Sequence, residues 1–231
     1  MVKDNILKVK ERISTACAKS GYDPHKITIV AVTKGRSVDE IKEAIEAGAT
    51  DIGENKVQEA LLKYNELLVS GQGITPVKWH MVGHLQTNKV KDAVKIFDLI
   101  QSVDSLHLAQ EIDKEARKIN KVQEILVEIK TSPEENKTGL KAGGAIEDIM
   151  EIIKLDNISI KGLMTIAPIV DNPDEARPYF QKLKELKDEI NIFLTPAFRL
   201  QILSMGMTDD FEVAVREGSN MVRLGRAIFE G

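Results

Sequence analysis

With 231 residues, the chain is long enough to bury a substantial core, either in one large domain or in two small ones. Its 42% hydrophobic and 29% charged residues are typical of a folded globular protein and exclude wholesale disorder. A net charge of −4 provides no positive field for a phosphate backbone, so we expect no nucleic-acid partner. The amino terminus lacks the apolar core of a signal peptide, no run is long enough to cross a bilayer, and the single cysteine, Cys17, cannot form an internal disulfide. These features predict a cytoplasmic protein without membrane contact.

The predicted elements begin with an amphipathic helix at about residues 3–19. Eight short β-branched runs follow, at Ile27–Val32, Asp51–Gly53, Trp79–Val82, Phe97–Ile100, Ile125–Ile129, Ile160–Met164, Gln201–Ser204 and Met221–Leu224. Helical patterns alternate with these runs, at Ser37–Ala47, Asn55–Leu68, Ser105–Ile119, Ala145–Lys154, Asp174–Ile190 and Asp210–Glu217.

Eight alternating β and α units predict a closed parallel (β/α)8 barrel, the TIM-barrel fold. A doubly wound open sheet shows the same alternation, and the count of eight is what favours the barrel. No linker rich in Gly, Pro or Ser divides the chain, so we expect residues 1–231 to form one domain. Since a chain of this length needs no oligomer for its core, we expect a monomer, with a weak dimer as the alternative.

The first predicted strand, Ile27–Val32, leads through Thr33 to a lysine at its carboxyl end, Lys34. In parallel α/β folds, ligands bind at the carboxyl ends of the strands. An amine that a buried strand delivers to this end indicates a lysine that binds a carbonyl group. A solvated terminal charge is the other interpretation of such a lysine.

Two glycine-containing turns follow the last two predicted strands, at Ser204–Asp210 and Arg223–Arg226. Small residues, hydroxyl groups and backbone N–H groups at the start of a helix form a suitable phosphate site, and these barrels commonly build one from their last two loops. An ordinary capped turn, in which Ser, Thr or Asp serves only the helix start, is the alternative. Together with Lys34, the turns describe a ligand with an aldehyde at one end and a phosphate at the other, and pyridoxal 5′-phosphate (PLP) has that shape.

Six motifs occur along the chain in a specific order, at Ala31–Lys34, Gly53–Asn55, Trp79–Lys89, Gly162–Thr165, Leu203–Met207 and Val222–Gly225. In this order they closely resemble the pyridoxal phosphate homeostasis proteins, the YggS-like family. The resemblance extends from about Lys26 to Gly231. It implies a barrel similar to the N-terminal domain of alanine racemase.

The resemblance also implies that Lys34 holds PLP as a Schiff base and that Asn55 lies beside the cofactor ring. Thr208 retains a hydroxyl where Ser is frequent in the family. Arg226 replaces the usual Ser or Thr after the last glycine and leaves the backbone N–H as the donor there. The full predicted cofactor-binding set, which includes the phosphate and ring-nitrogen contacts, is Lys34, Asn55, His80, Met164, Ser204, Gly206, Thr208, Arg223, Gly225 and Arg226.

The implied function is the buffering or delivery of PLP, with PLP-dependent apo-enzymes as partners. Racemisation needs a base on each face of the substrate carbon, and in alanine racemase the second base is a tyrosine from an additional C-terminal β domain. This sequence ends within a few residues of its eighth strand, and its tyrosines, Tyr22, Tyr64 and Tyr179, lie in or beside predicted helices. Arg223, if it faces the ring nitrogen, opposes ring protonation and weakens carbanion chemistry. We therefore expect no significant catalysis.

Two other functions remain open at this point. The first is a weak amino-acid racemase, or another enzyme that works through a PLP Schiff base, using water or an unrecognised base. The second is a sensor of a phosphorylated ligand without covalent chemistry, which predicts that Lys34→Ala retains the ligand.

His80 and His84 have the i, i+4 spacing of zinc ligands on a helix, but here the pattern places them on a strand and a loop. With no cysteine nearby and no obvious third ligand, we expect them to pack and to form hydrogen bonds, and we predict no metal site. Lys137 lies in a polar stretch that reads as a solvated loop, and a role in receiving the aldehyde in transit is the alternative.

Overall fold

A computed structural model describes residues 1–70, 76–134 and 138–230. Within these ranges the β-strands are β1 Thr28–Val32, β2 Asp51–Glu54, β3 Lys78–Met81, β4 Leu99–Val103, β5 Gln123–Lys130, β6 Leu140–Lys141, β7 Ile158–Met164, β8 Ile202–Ser204 and β9 Met221–Leu224. The α-helices are α1 Val2–Ala18, α2 Val38–Glu46, α3 Val57–Ser70, α4 Val90–Ile96, α5 Leu106–Lys118, α6 Ala145–Ile152, α7 Arg177–Phe193, α8 Phe211–Arg216 and α9 Arg226–Phe229. No helix in these ranges is long and apolar enough to cross a membrane.

The strands form a closed ring in which every pairing is parallel. The order of the sheet is β4-β3-β2-β1-β9-β8-β7-β5, and pairing of β4 with β5 closes the ring. The two-residue β6 lies outside the ring, beside the carboxyl end of β5. The predicted eight-stranded barrel is therefore confirmed, and β6 is an addition that the sequence did not indicate.

Two predicted boundaries differ from the structure between β3 and β5. The sequence predicts the fourth strand at Phe97–Ile100, but the strand spans Leu99–Val103. Phe97 ends α4, and the Asp98 carboxylate accepts a hydrogen bond from the Trp79 N–H at 2.7 Å. Helix α4 itself was not predicted. It begins directly after the polar segment that follows β3 and is only 7 residues long.

The barrel interior is closed by apolar side chains from non-adjacent strands. One buried cluster contains Val30 of β1, Leu126 of β5 and Met164 of β7, which can meet only inside the ring. Because side chains alternate along a strand, the inward face of β1 is that of Val30 and Val32, and Lys34 follows at the carboxyl end. This apolar interior cluster lies below the carboxyl ends of the strands, and polar side chains lie at those ends.

Helix α1 covers one side of the barrel and packs against α2, α8 and α9. Its buried residues include Ile6, Val9 and Ile13, spaced as one face of an amphipathic helix. Asn5 is also buried, and its Nδ2 donates to the carbonyl oxygen of Ile228 at 3.0 Å. The observed Val2–Ala18 helix agrees with the expected segment at about 3–19.

Candidate functional site

Lys34 lies in an exposed turn directly after β1. The N–H of Arg36 donates to the carbonyl oxygen of Thr33 at 3.0 Å, which closes the turn, and Gly35 has a φ of +71° that a glycine adopts without strain. Lys34 forms no side-chain hydrogen bond or ion pair with any residue in the described ranges. Its amine is therefore exposed at the mouth of the barrel, and its role toward a ligand stays a prediction.

Arg223 is the central cation of the barrel and is only 4% exposed. Its Nη1 donates to the carbonyl oxygen and hydroxyl of Ser204 at 2.8 and 2.7 Å, and its Nη2 donates to the carbonyl oxygen of Thr165 at 2.8 Å. Burial lowers the pKa of Arg223 to about 10, although Glu128 and Asp210 act in the opposite direction. The side chain therefore remains a cation at neutral pH, in a fixed orientation.

A chain of buried polar side chains continues from Ser204 across the barrel. The Ser204 hydroxyl is 2.6 Å from Oε1 of Gln101, whose Nε2 is 2.8 Å from Nδ1 of His80. The other ring nitrogen of His80 is 2.9 Å from Oδ1 of Asp51. His80 thus has protein partners at both nitrogens, and hydrogen bonds through Gln101 and Ser204 connect it to Arg223.

Glu128 of β5 is a second buried charge near Arg223. The hydroxyl of Thr138 donates to its Oε1 at 2.8 Å. Burial raises the pKa of Glu128, and the Thr138 hydrogen bond and the Arg223 charge oppose that effect without cancelling it. This contact ties the segment that begins at Thr138 to the mouth. Lys137, the preceding residue, lies outside the described residues.

Asn55 and Met164 occupy different depths of the site. Met164 is fully buried in the interior cluster, so it forms part of the floor. Asn55 is half-buried after β2 and contacts the loop after β3. A Cβ on Gly83 would lie 2.5 Å from the Asn55 carbonyl oxygen, so only glycine lets the two loops pack this closely. Gly83 was not among the predicted site residues.

The loops after β8 and β9 lie side by side. The hydroxyl of Thr208 accepts a hydrogen bond from the N–H of Ala227 at 3.3 Å, and Arg226 forms an ion pair with Asp209. Gly206 has a φ of +95°, and a Cβ there would lie 2.6 Å from Cβ of Ala214. The first loop is therefore pressed against α8, with no space for a larger residue.

These two loops contain backbone N–H groups that no acceptor in the described part of the chain occupies. Within the described ranges, the N–H groups of Gly206, Thr208, Gly225 and Arg226 have no acceptor. In contrast, the N–H of Met207 donates to Oδ1 of Asp210 at 2.6 Å. The Arg226 side chain is 63% exposed and pairs with Asp209. The group that Arg226 can present to a ligand is therefore its backbone N–H. Free donors near a half-buried hydroxyl make a site for an anion with several oxygens.

The predicted residues therefore fall into two groups. Those at the mouth with groups available for a ligand are Lys34, Asn55, Gly206, Thr208, Gly225 and Arg226. Those already bonded or packed beneath the mouth are His80, Met164, Ser204 and Arg223.

The predicted cofactor-binding set did not include Gln101, Asp51, Glu128 or Thr165, although Thr165 ends one of the six motifs. Gln101 lies beyond the predicted end of the fourth strand, and the signal that would have found it is the polar pair Gln101-Ser102 inside an otherwise apolar run. Of the two histidines weighed as metal ligands, His84 pairs with Asp104 at 3.2 Å. The described residues contain no cluster of three or more His, Cys, Asp or Glu side chains that could hold a metal ion.

Comparison with known proteins identifies the family of the chain. The family model "Alanine racemase, N-terminal domain" matches residues 5–231. The pyridoxal phosphate homeostasis protein of Aquifex aeolicus is 40% identical over 226 residues, which cover 98% of this chain and 96% of that protein. The protein of the same name from Escherichia coli is 32% identical over 99% of this chain and 95% of its own length.

Solved structures of similar fold include a relative with PLP bound and alanine racemase. PipY of Synechococcus elongatus PCC7942, solved with PLP bound, is 32% identical, with a TM-score of 0.83 over 96% of this chain and 99% of that chain. Alanine racemase of Clostridium difficile shares the fold with a TM-score of 0.75 at 18% identity, covering 98% of this chain and 56% of that chain. On the family match and the identity to its relatives, the chain belongs to the family of the pyridoxal phosphate homeostasis proteins, within the wider family of the alanine racemase N-terminal domain.

Proposed function

We propose that this protein binds PLP at the carboxyl end of the barrel, covalently on Lys34, and that it buffers the cofactor or delivers it to PLP-dependent apo-enzymes. One observation carries the proposal: the unpaired Lys34 amine and the free N–H groups of Gly206, Thr208, Gly225 and Arg226 share one mouth. The relatives named pyridoxal phosphate homeostasis protein and the PLP-bound PipY support the choice of ligand.

The donor set suits the two ends of PLP. The Lys34 amine would hold the aldehyde end of PLP through a C=N bond, whose formation would release the carbonyl oxygen as water. The free N–H groups and the Thr208 hydroxyl match the phosphate oxygens. When bound, PLP supplies an electron-withdrawing pyridine ring, which stabilises negative charge on a carbon attached to the imine nitrogen.

Arg223 is the residue that we assign to the ring nitrogen. A guanidinium donates hydrogen bonds and does not accept them, so it leaves the ring nitrogen unprotonated. The hydrogen bonds to Ser204 and Thr165 keep Arg223 in that orientation. In this proposal Ser204 and His80 act through Arg223, Met164 supports the ring from the barrel interior, and Asn55 lies beside it.

We also propose that the protein has little catalytic activity of its own. The three tyrosines all lie away from the mouth: Tyr64 packs edge-on against Trp79 on the helical side of β3, Tyr179 lies on α7, and the Tyr22 hydroxyl is near Gly218. None of them is placed to act as a second base. We further propose that the protein acts in the cytoplasm as a monomeric single domain.

The test is the absorbance spectrum of protein incubated with PLP and desalted, followed by borohydride reduction and peptide mapping. We expect a visible band in the wild type and reduced cofactor on Lys34. Lys34→Ala should lose the band, whereas Lys130→Ala, which removes another lysine from the end of a barrel strand, should keep it. A colourless wild type that retains no PLP would refute the proposal, and full PLP retention by Lys34→Ala would favour a non-covalent sensor.

A second measurement distinguishes a PLP carrier from a PLP-dependent enzyme. Exchange of the α-proton of L-alanine and L-serine in deuterated buffer should stay near the rate of free PLP when the loaded protein is added. Exchange at enzyme-like rates would favour the racemase alternative instead.

A further inference from the structure

Lys63 of α3 is a buried lysine beside the turn that contains Lys34. It is 7% exposed, and lysines are rarely buried unless they are paired. Its Nζ donates to the carbonyl oxygen of Thr33, to Oε1 of Glu54 and to Oε1 of Glu59, each at 2.6 Å. All three donors of the ammonium group are therefore satisfied, and one of them goes to the backbone directly before Lys34.

The backbone directly after Lys34 is attached to the same cluster. The N–H of Gly35 donates to Oε1 of Glu59 at 2.7 Å. The Thr33 hydroxyl also donates to Oε1 of Glu54 at 2.6 Å. Lys34 is thus held between two backbone anchors that both depend on the Lys63–Glu59 pair, while its own side chain stays unbonded.

Burying these charges costs folding free energy, which an attachment of α3 to the barrel by apolar side chains would avoid. Glu54 is fully buried, and its Oε2 has no hydrogen-bond partner among the described residues. Burial raises the pKa of Glu54 despite the bonds from Lys63 and Thr33. Apolar side chains commonly hold such an interface with equal or greater stability. The charged cluster is therefore better explained by the hydrogen bonds with which it fixes the Thr33–Gly35 backbone.

We propose that Lys63 and Glu59 are positioning residues for Lys34, which fix the Thr33–Gly35 backbone so that the amine meets the cofactor aldehyde in a constant place. The inference rests on the proposed function. An exposed turn that contains a glycine samples several backbone conformations unless it is held, and a loss of position by about 1 Å can lower the rate of a bond-forming step about a hundredfold. The hydrogen bonds of Lys63 and Glu59 go to the backbone on either side of Lys34 and not to its amine.

The variants follow from the geometry. Lys63→Met keeps an unbranched side chain that is one atom shorter, and it removes both the charge and the donors. Glu59→Ala removes the acceptor of the Gly35 N–H at a side chain that is 32% exposed, so the helix should tolerate it. Glu59→Gln keeps an oxygen that can accept this bond. The matched control is Glu111→Ala, which breaks an i, i+3 pair with Lys114 on α5 and is 27% exposed.

The experiment measures the formation and the release of the PLP absorbance band by stopped flow, together with hydrogen exchange of the Gly35 amide in protein without PLP. In Glu59→Ala and Lys63→Met we expect the Gly35 amide to exchange faster and the band to form at least about tenfold more slowly. Glu59→Gln should stay closer to the wild type than Glu59→Ala does, and Glu111→Ala should match the wild type.

The outcomes separate the two proposals. If the wild type binds PLP and Glu59→Ala forms and releases the band at wild-type rates, the positioning role is overturned and the proposed function stands. If Lys63→Met does not fold, Glu59→Ala decides the question. If the wild type forms no band, the proposed function fails and the positioning role fails with it.

Discussion

Arg223 and Ser204 are joined twice, because Nη1 of Arg223 donates to both the carbonyl oxygen and the hydroxyl of Ser204. A hydroxyl has one proton, so Ser204 must donate that proton onward to Oε1 of Gln101. The Gln101 amide then donates to Nδ1 of His80, and the His80 Nε2–H donates to Asp51. A permanent cation at one end and a carboxylate at the other therefore set the direction of every hydrogen bond between them.

The first prediction is the proton position on His80. We expect the neutral ring to carry its proton on Nε2, because Nδ1 accepts from Gln101. The ¹⁵N chemical shifts of the His80 ring at neutral pH measure this directly. Gln101→Leu, which removes the donor, should change them, and a proton found on Nδ1 in the wild type would contradict the direction of the chain.

The second prediction concerns the stability that Arg223 provides. Arg223→Met leaves the carbonyl oxygens of Ser204 and Thr165 buried without these donors, so we expect the free energy of unfolding to fall by about 3 kcal/mol. Urea denaturation measures the change. Arg226→Met is the control, since this exposed side chain pairs only at the surface, and it should leave the midpoint nearly unchanged.

The third prediction is a pH dependence that arises from Glu128. Its pKa is raised by burial, so the folded state binds a proton more tightly than the unfolded state does. The contribution of Glu128 to stability is therefore full below the unfolded pKa of about 4.3 and is lost as the pH rises through the folded pKa. Glu128→Gln cannot ionise and still offers an oxygen to Thr138, so it should be more stable than the wild type at pH 8 and similar to it at pH 4. A stability difference that is constant with pH would contradict this assignment.

The fourth prediction tests the contact between the loops after β2 and β3. A Cβ at position 83 would lie 2.5 Å from the Asn55 carbonyl oxygen and 2.8 Å from its Cα, so Gly83→Ala must displace backbone. We expect a loss of about 2 kcal/mol in the free energy of unfolding. Gly143→Ala is the matched control, because no atom lies within 4 Å of the added Cβ. Equal midpoints for the two variants would refute the close packing.

The fifth prediction assigns the loops after β8 and β9 to the phosphate group. Thr208→Val removes the hydroxyl that accepts from the Ala227 N–H, and it leaves the Arg226–Asp209 ion pair as the side-chain link between the two loops. We expect the affinity for PLP to fall about tenfold, and the affinity for pyridoxal, which lacks the phosphate, to stay the same. Spectroscopic titration with each ligand measures both. An equal loss for both ligands would place the effect elsewhere in the site.

The barrel was predictable because its signal is repeated. Each of the eight units contributes an apolar run and a helical pattern, and small errors at Ile27 or Phe97 do not change the count. The positions of residues at strand ends were predictable for a related reason. A lysine or glycine directly after an apolar run can be recognised from the linear sequence alone. Their roles toward a ligand stay predictions.

Contacts between distant segments could not be predicted in this way. Glu59 and Lys63 look like an ordinary i, i+4 pair on a helix, and nothing in the sequence shows that both reach the backbone beside Lys34. The bond between Ser204 and Gln101 joins residues 103 positions apart and requires the ring to close first. Such contacts are set by the tertiary fold and leave no local pattern.

Closure of the ring by β4 and β5 also limits how another protein can dock. A closed barrel offers no strand edge for an incoming peptide to extend, and of the described strands only the two-residue β6 stands outside the ring. Under the proposed delivery role, an enzyme that receives the cofactor directly would contact the loops and helix ends around the mouth, where Lys34 lies. The surface that holds the ligand and the surface that meets the recipient would be one and the same, so handover and binding would compete for the same residues.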